Sequence, residues 1–421
     1  MNIILKDSII QYIEKNCNIE YILQCIQNPQ IRGFDKEDIK HLTEYTIFNS
    51  NIVQVINFLH KNQTDNTKKI KEINLPKDMT IGIEIESEGD ASTPMLVDCC
   101  FVEKLKGWEV KNEGSIHNGL EITSPIIKKQ DKREKQIYDI CSVLKLFGNH
   151  SSERCGGHVH IGADYLKNIN AWKNLVEIWT NTENIMYIIS NEQNQAPRNG
   201  INVYAAPIAQ NIEKVIEKGE VNFENENEIN EFRRKISLMQ GNGKYSSRFS
   251  GINFQNFDEK DKNTIEFRLA NGTINPDIWI ENINLFGGII AASQEIADIQ
   301  KKAEKGKKLT PKEEKKLMEF ENLKEPESNE ISEEDKLYSL LSLVIDEKDR
   351  QIYIDRYNAN KNLVPEKIVN IKKPISISKK KLGKMAFTGK NGINGIDYQN
   401  GETLIQSELE EYKSKDISKL D

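Results

Sequence analysis

Three short stretches each place a polar pair two residues apart among apolar neighbours: Glu84 and Glu86 in GIEIE, His158 and His160 in GGHVHIG, and Glu266 and Arg268 in TIEFRL. Successive side chains on a strand point to opposite faces, so each pair shares one face while Ile83, Ile85, Val159, Ile161, Ile265 and Phe267 share the other. Any one such pair is what a half-exposed sheet produces by alternation alone. The residue types make the set of three unusual. A solvated face is ordinarily dressed in Lys, Thr, Ser and Gln, whereas carboxylate, imidazole and guanidinium ligate metals, move protons and grip anions. Glycines flank these stretches and let backbone come close to a ligand.

A fourth stretch, GWEVKNEGSIHNGLEITSP, reads as a hairpin with Asn118-Gly119 as its turn signal and Glu113 and Glu121 eight residues apart on its two arms. His117 beside the turn reads as a loop histidine. If these strands share a sheet, Glu84, Glu86, Glu113, Glu121 and Glu266 converge. Five close carboxylates without counter-charge raise one another's pKa values and cost stability, and divalent cations relieve both. An oxygen-rich site with at most one imidazole suits magnesium or manganese better than zinc, which prefers three or four His/Cys ligands. Two such ions would offset about four negative charges and leave phosphates to meet Arg268 and Arg248.

The elements that would position these groups are legible as patterns. TIGIEIES, GWEVKNE, LEITSPII, GGHVHIG, SGINFQNF and NTIEFRLAN predict strands. Trp172, Leu175, Val176 and Trp179 share a face of one long amphipathic helix, and Trp279, Ile283, Phe286 and Ile290 of another. Hairpin-paired strands separated by long helices predict an α+β domain: a mostly antiparallel sheet with helices on one face, plus helical N-terminal and C-terminal extensions. The boundaries expected are a helical module over 1–75, a catalytic domain over 76–300, a charged helical linker over 301–335, and a C-terminal extension over 336–421. The extension contains a short apolar helix, LYSLLSLVI, and a stretch with seven lysines and no acid, IKKPISISKKKLGKMAFTGK.

With Lys+Arg 58 against Asp+Glu 65, the net charge of −7 argues against a general nucleic-acid or anionic-membrane binder. No apolar run approaches the ~20 residues needed to span a bilayer, and the start lacks a basic region followed by an apolar core, so a cytoplasmic protein is expected. Six cysteines without C-x-x-C spacing read as reduced, mostly buried thiols.

The ordered set GIEIE, WEVKNEGS, GLEITSP, CGGHVHIG and TIEFRLANGT resembles the carboxylate-amine ligases of the glutamine synthetase and glutamate-cysteine ligase superfamily, and within it the amidoligase branch, over about residues 79–300. The resemblance implies a glutamine synthetase-like catalytic domain and one metal held by Glu86, Glu113 and Glu121. It implies a second metal held by Glu84, His158 and Glu266, with His160 and Arg268 facing phosphate. Arg248, in a strand resembling the one that precedes E-x-R, is a candidate for phosphate or a substrate carboxylate. The amidoligase pattern usually has Asp where this chain has Glu113.

The function expected is an ATP-dependent, ADP-forming amide ligase that works through an acyl phosphate at a two-magnesium (or manganese) site. Glu113 is one option for general base. Its substrates would be small-molecule or peptide carboxylates and amines, and the lysine-rich stretch suggests a protein or peptide acceptor. No membrane partner is expected, and an oligomer is compatible with the sequence. Two rivals remain open: a metal-dependent hydrolase using His158 and His160, and a catalytically degenerate ligase fold serving as a binding module.

Overall fold

The computed structural model describes residues 70–89, 105, 107–114, 116, 119–128, 134–209, 212, 248–254, 256, 263–324 and 331–365. The expected N-terminal helices, His117, Asn118 and the lysine-rich stretch lie outside these residues. Four of the cysteines, Cys17, Cys25, Cys99 and Cys100, lie outside them too, while Cys141 and Cys155 are buried free thiols.

Seven strands form one antiparallel sheet: β1 (Thr80–Glu88), β2 (Glu109–Glu113), β3 (Gly119–Thr123), β4 (Ile127–Lys128), β5 (Gly156–Gly162), β6 (Ile252–Asn253) and β7 (Thr264–Asn271). The order is β2-β3-β1-β5-β7-β6, with β4 also paired to β1. The arm predicted as LEITSPII divides into β3 and β4 at Ser124-Pro125. Proline has no N–H for the ladder, and there the Ser124 hydroxyl accepts from the Ile83 amide at 2.9 Å. Glu113 pairs with Gly119, which opens β3.

Among the described residues there are seven α-helices: α1 (Glu134–Leu146), α2 (Ile169–Ile189), α3 (Ile201–Tyr204), α4 (Pro276–Glu304), α5 (Pro311–Lys324), α6 (Glu333–Val344) and α7 (Arg350–Asn360). The Asn168 side chain caps α2 by accepting from the Ala171 amide. Asn275 caps α4 likewise, with Pro276 at its first position, where a missing N–H costs nothing. These helices cover the apolar face of the sheet. Phe267 of β7 lies 5.6 Å, centroid to centroid, from Trp179 of α2 and stacks at 4.6 Å on Phe286 of α4. Ile81, Ile83, Ile85, Val159, Ile161 and Ile265 are buried alongside. The architecture is therefore α+β with helices packed on one sheet face, as the patterning predicts.

The helical layer crosses the expected boundaries. Ile73 and Leu75 belong to the same core as the sheet, and α4 runs unbroken through residue 300. In the stretch expected as a charged linker, α5 buries Phe320 and Leu323 in that core. With Leu317 these form an i, i+3, i+6 stripe that surrounding Lys and Glu obscure in the sequence. No helix among the described residues is long and apolar enough to cross a membrane.

Candidate active site

The uncovered face of the sheet carries the polar pairs, and strand register brings them together. Glu84 stands opposite His158, Glu86 opposite Glu121, and His160 opposite Glu266. A register shift between Gly157 and Val159 skews β5 against β7. The residues line a cavity of about 340 Å³ that also includes Glu113, Lys111, Arg154, Arg198, Tyr204, Arg248, Phe249, Asn256 and Arg268. A larger cavity of about 750 Å³ lies on the helical side between residues 70–76, α4 and the α6–α7 region, and contains neither histidine nor any of the five glutamates.

Two groups of donors form. Glu84, His160 and Glu266 offer ligand atoms all within 4.8 Å of one another, and so do Glu86, Glu113 and Glu121. Donors on opposite sides of one magnesium or calcium ion stand about 4.2–5 Å apart, so each ring has a span that one hard cation fills. The second trio is the one the resemblance implies. The first group contains His160, and His158, the histidine the resemblance implies, lies as close to the same two glutamates. The His160 Nε2 is 3.2 Å from Glu84 and 4.0 Å from Glu266, while its Nδ1 meets the Thr264 hydroxyl at 3.2 Å. A hydrogen bond at one ring nitrogen turns the other toward the site.

His158 lies deeper, between the trios. Its Nδ1 is 2.9 Å from Glu84 and 3.6 Å from Glu266, and its Nε2 is 3.7 Å from Glu86. That Nε2 is buried without a hydrogen-bond partner. Buried polar atoms without partners are rare. An orphaned imidazole nitrogen among carboxylate oxygens fits a site that completes itself around a cation, and magnesium or manganese suits this donor set.

Burial alone would raise the Glu84 carboxyl, but hydrogen bonds and charge from His158 and His160 hold it well below the usual carboxylate range. Glu266 is likewise opposed by burial, yet Arg268 and both histidines bring it down to about 2. Arg268 pairs directly with its Oε1, and Asn253 and Asn256 donate to its Oε2 at 2.7 and 3.2 Å. Glu121 moves the other way, pushed up by burial and by the Glu84 and Glu113 charges.

Arg268 reaches the Tyr204 carbonyl at 3.3 Å and lies 5.6 Å from the Phe249 ring centre. Arg248, exposed at the cavity mouth, lies over the same ring at 4.9 Å. Cation–aromatic contacts of this kind hold guanidinium groups in place without using their donors.

Sequence patterning passes over Arg198, Asn253, Asn256, Tyr204 and Phe249. Asn253 alternates correctly within SGINFQNF and could have been found by period two. Arg198 sits in the irregular loop QNQAPRN and has no periodic signal. The glycine pair has a different role from the one its flexibility suggests. A Cβ on Gly156 would run into the Arg198 guanidinium, and one on Gly157 would meet the Asn271 carbonyl at 2.8 Å and the Trp279 ring at 2.9 Å. Protein, and not ligand, fills the space these glycines leave.

An antiparallel sheet backed by helices on one face, and gathering carboxylates, imidazoles and arginines in a cavity on the other, is the layout of an α+β enzyme. The chain belongs to the amidoligase family: the family model described as "Putative amidoligase enzyme" matches residues 61–290, more than half of the 421 residues. That membership makes it a ligase-class enzyme, and every site residue expected from the sequence lies within the match. Among curated proteins no match to the chain is found.

Proposed function

We propose that the protein is an ATP-dependent carboxylate-amine ligase, ADP-forming, that activates its carboxylate as an acyl phosphate. The observation that carries this reading is the pairing of two oxygen-rich donor trios, Glu84/His160/Glu266 and Glu86/Glu113/Glu121, in one cavity with Arg268. Glu84, Glu266 and His160 would hold one magnesium or manganese ion, and Glu86, Glu113 and Glu121 the other. Such ions, when bound, neutralise phosphate charge and align the transferring group.

The chain's own residues supply placement. Glu266 is clamped on one oxygen by Arg268 and on the other by two asparagines, so a donor held between them need not reorganise during reaction. Arg268 presents a guanidinium beside the place where charge moves from γ-phosphate to the leaving nucleotide. Arg248 at the mouth offers a second for phosphate or the far carboxylate of a substrate. A substrate carboxylate oxygen bonds to the γ-phosphorus as the bond to ADP breaks. An amine then attacks the acyl carbon and phosphate leaves with the former carboxylate oxygen. Glu113, half-buried at the hairpin end, is the candidate to take the amine's proton.

A reaction that consumes ATP with magnesium is compatible with the cytoplasmic location expected from the sequence. The substrates are small-molecule or peptide carboxylates and amines, with a peptide or protein acceptor as one case. The test is turnover of ATP with magnesium and pooled amino acids and peptides. ADP and phosphate should appear only when carboxylate and amine are both present. AMP release would point to adenylation instead, and metal-dependent hydrolysis without ATP would favour a hydrolase.

A further inference from the structure

One guanidinium stands apart from the cavity's other cations. Arg198 is 4 % exposed, with its guanidinium packed against Gly156 of β5 in the wall of the cavity. Its Nη1 lies 3.5 Å from the Glu86 Oε2, its Nη2 donates to the Arg268 carbonyl at 3.3 Å, and its Nε has no hydrogen-bond partner. The amide of Gly156 donates to the same Glu86 oxygen at 2.5 Å. Both groups therefore bind Oε2, which leaves Oε1 of Glu86 toward His158 Nε2 at 3.7 Å, and Glu86 also offers an oxygen to the Glu113/Glu121 group.

The loop that carries Arg198 is pinned at several points. Asn271, the last residue of β7, accepts from the Arg198 amide at 2.7 Å and donates to the Ala196 carbonyl at 2.8 Å, while its own amide is held by Asn191 at 2.8 Å. The Asn199 amide adds a bond to the Glu153 carbonyl at 2.8 Å. Gly156 completes the arrangement, because only a residue without Cβ leaves room for the guanidinium. A buried guanidinium 3.5 Å from the glutamate oxygen that the Gly156 amide also holds adds a charge that favours this rotamer of Glu86.

We propose that Arg198 is a positioning residue for the Glu86/Glu113/Glu121 cation: it fixes Glu86 so that a single carboxylate oxygen faces the ion, and Gly156 is glycine to admit it. The inference rests on the cation reading of the site. It goes beyond that reading by assigning this ion's geometry to a residue outside both donor groups. Glu113 lies on the edge strand β2 and Glu121 on its neighbour β3, so Glu86, on β1, is the member of its trio farthest from that edge. Without Arg198 the Gly156 amide alone would hold Oε2, and the charge that favours this aim would be lost.

The test uses Mn2+ alone, without nucleotide, added to the full chain and followed by electron paramagnetic resonance. Wild type should bind two ions, and Glu121→Gln should identify which isotherm belongs to its trio. Arg198→Met should weaken that ion about 10- to 100-fold, the range typical of lost outer contacts, and change the other by less than about threefold. Arg198→Lys should recover part of the loss, and Gly156→Ala should reproduce it by displacing the guanidinium. If Arg198→Met does not fold, as judged by circular dichroism, the Lys and Ala variants carry the comparison. Wild-type affinity for both ions in the folded variants would overturn the proposal while leaving the cation site intact. A wild-type chain that binds no Mn2+ would overturn the cation reading and this proposal with it.

Discussion

The two donor trios share a sheet face and differ in how they are held. Glu84, His160 and Glu266 sit on the inner strands β1, β5 and β7, and their carboxylates already have hydrogen bonds and positive neighbours that keep them ionised. Glu113 and Glu121 belong to the β2–β3 hairpin at the sheet edge, and Glu121 is pushed up by burial and like charge. The inner trio is stable as a set of charges before any cation arrives. The edge trio is frustrated until one does. Under the proposed function, one half of the site would be organised before phosphates arrive and the other completed on cation binding.

That contrast can be broken first at the inner trio. Glu84→Ala and Glu266→Ala should each abolish metal-dependent nucleotide binding, a loss of at least ~100-fold measured by calorimetry with magnesium, because each removes a donor from the same ion. Unchanged nucleotide affinity in both would refute the assignment. Glu113→Ala and Glu121→Gln should cost the edge ion roughly 10- to 100-fold in Mn2+ affinity and leave the inner ion bound.

Stability separates the trios by sign. Glu266 is lowered from 4.5 to about 2, so its ionised form stabilises the fold above pH 4.5, and this is lost as pH falls through about 2. Glu266→Gln should therefore destabilise the cation-free protein at neutral pH, by about 3 kcal/mol if the whole linkage is lost, read as a shift in urea midpoint. Glu121→Gln should leave it unchanged or stabilise it by up to about 1 kcal/mol, since neutralising a repelled carboxylate relieves the native state.

The smallest effect is in pH dependence. Protons compete with cation at both trios, at the edge through the Glu121 carboxyl, which burial and like charge raise, and at the inner trio through the His160 imidazole, which must be neutral to hold an ion. Mn2+ affinity should therefore weaken at both as pH falls, and Glu121→Gln should remove the carboxyl part of that dependence at the edge while leaving the inner ion's unchanged.

Much of this site was legible because alternation sorts side chains by face without reference to anything distant. Ile83 and Ile85 against Glu84 and Glu86 is a local fact, and so is the Trp172-to-Trp179 helical stripe. How the His158 and His160 rings lie against Glu84 and Glu266 is not local, since it depends on the β5–β7 register and on Thr264 holding one ring. Arg198 is illegible for a related reason: its place under Gly156 is set by Asn271, 73 residues later. The charged segment before residue 324 misleads because three apolar residues suffice to dock α5 where Lys and Glu dominate the composition.

The most direct test of the ligase account follows the oxygen. With pooled carboxylates labelled with 18O, magnesium, amines and unlabelled ATP, 31P nuclear magnetic resonance should show one labelled oxygen in the phosphate released, because it leaves with the former carboxylate oxygen. Label appearing in AMP, or phosphate released without label, would contradict activation of the carboxylate as an acyl phosphate.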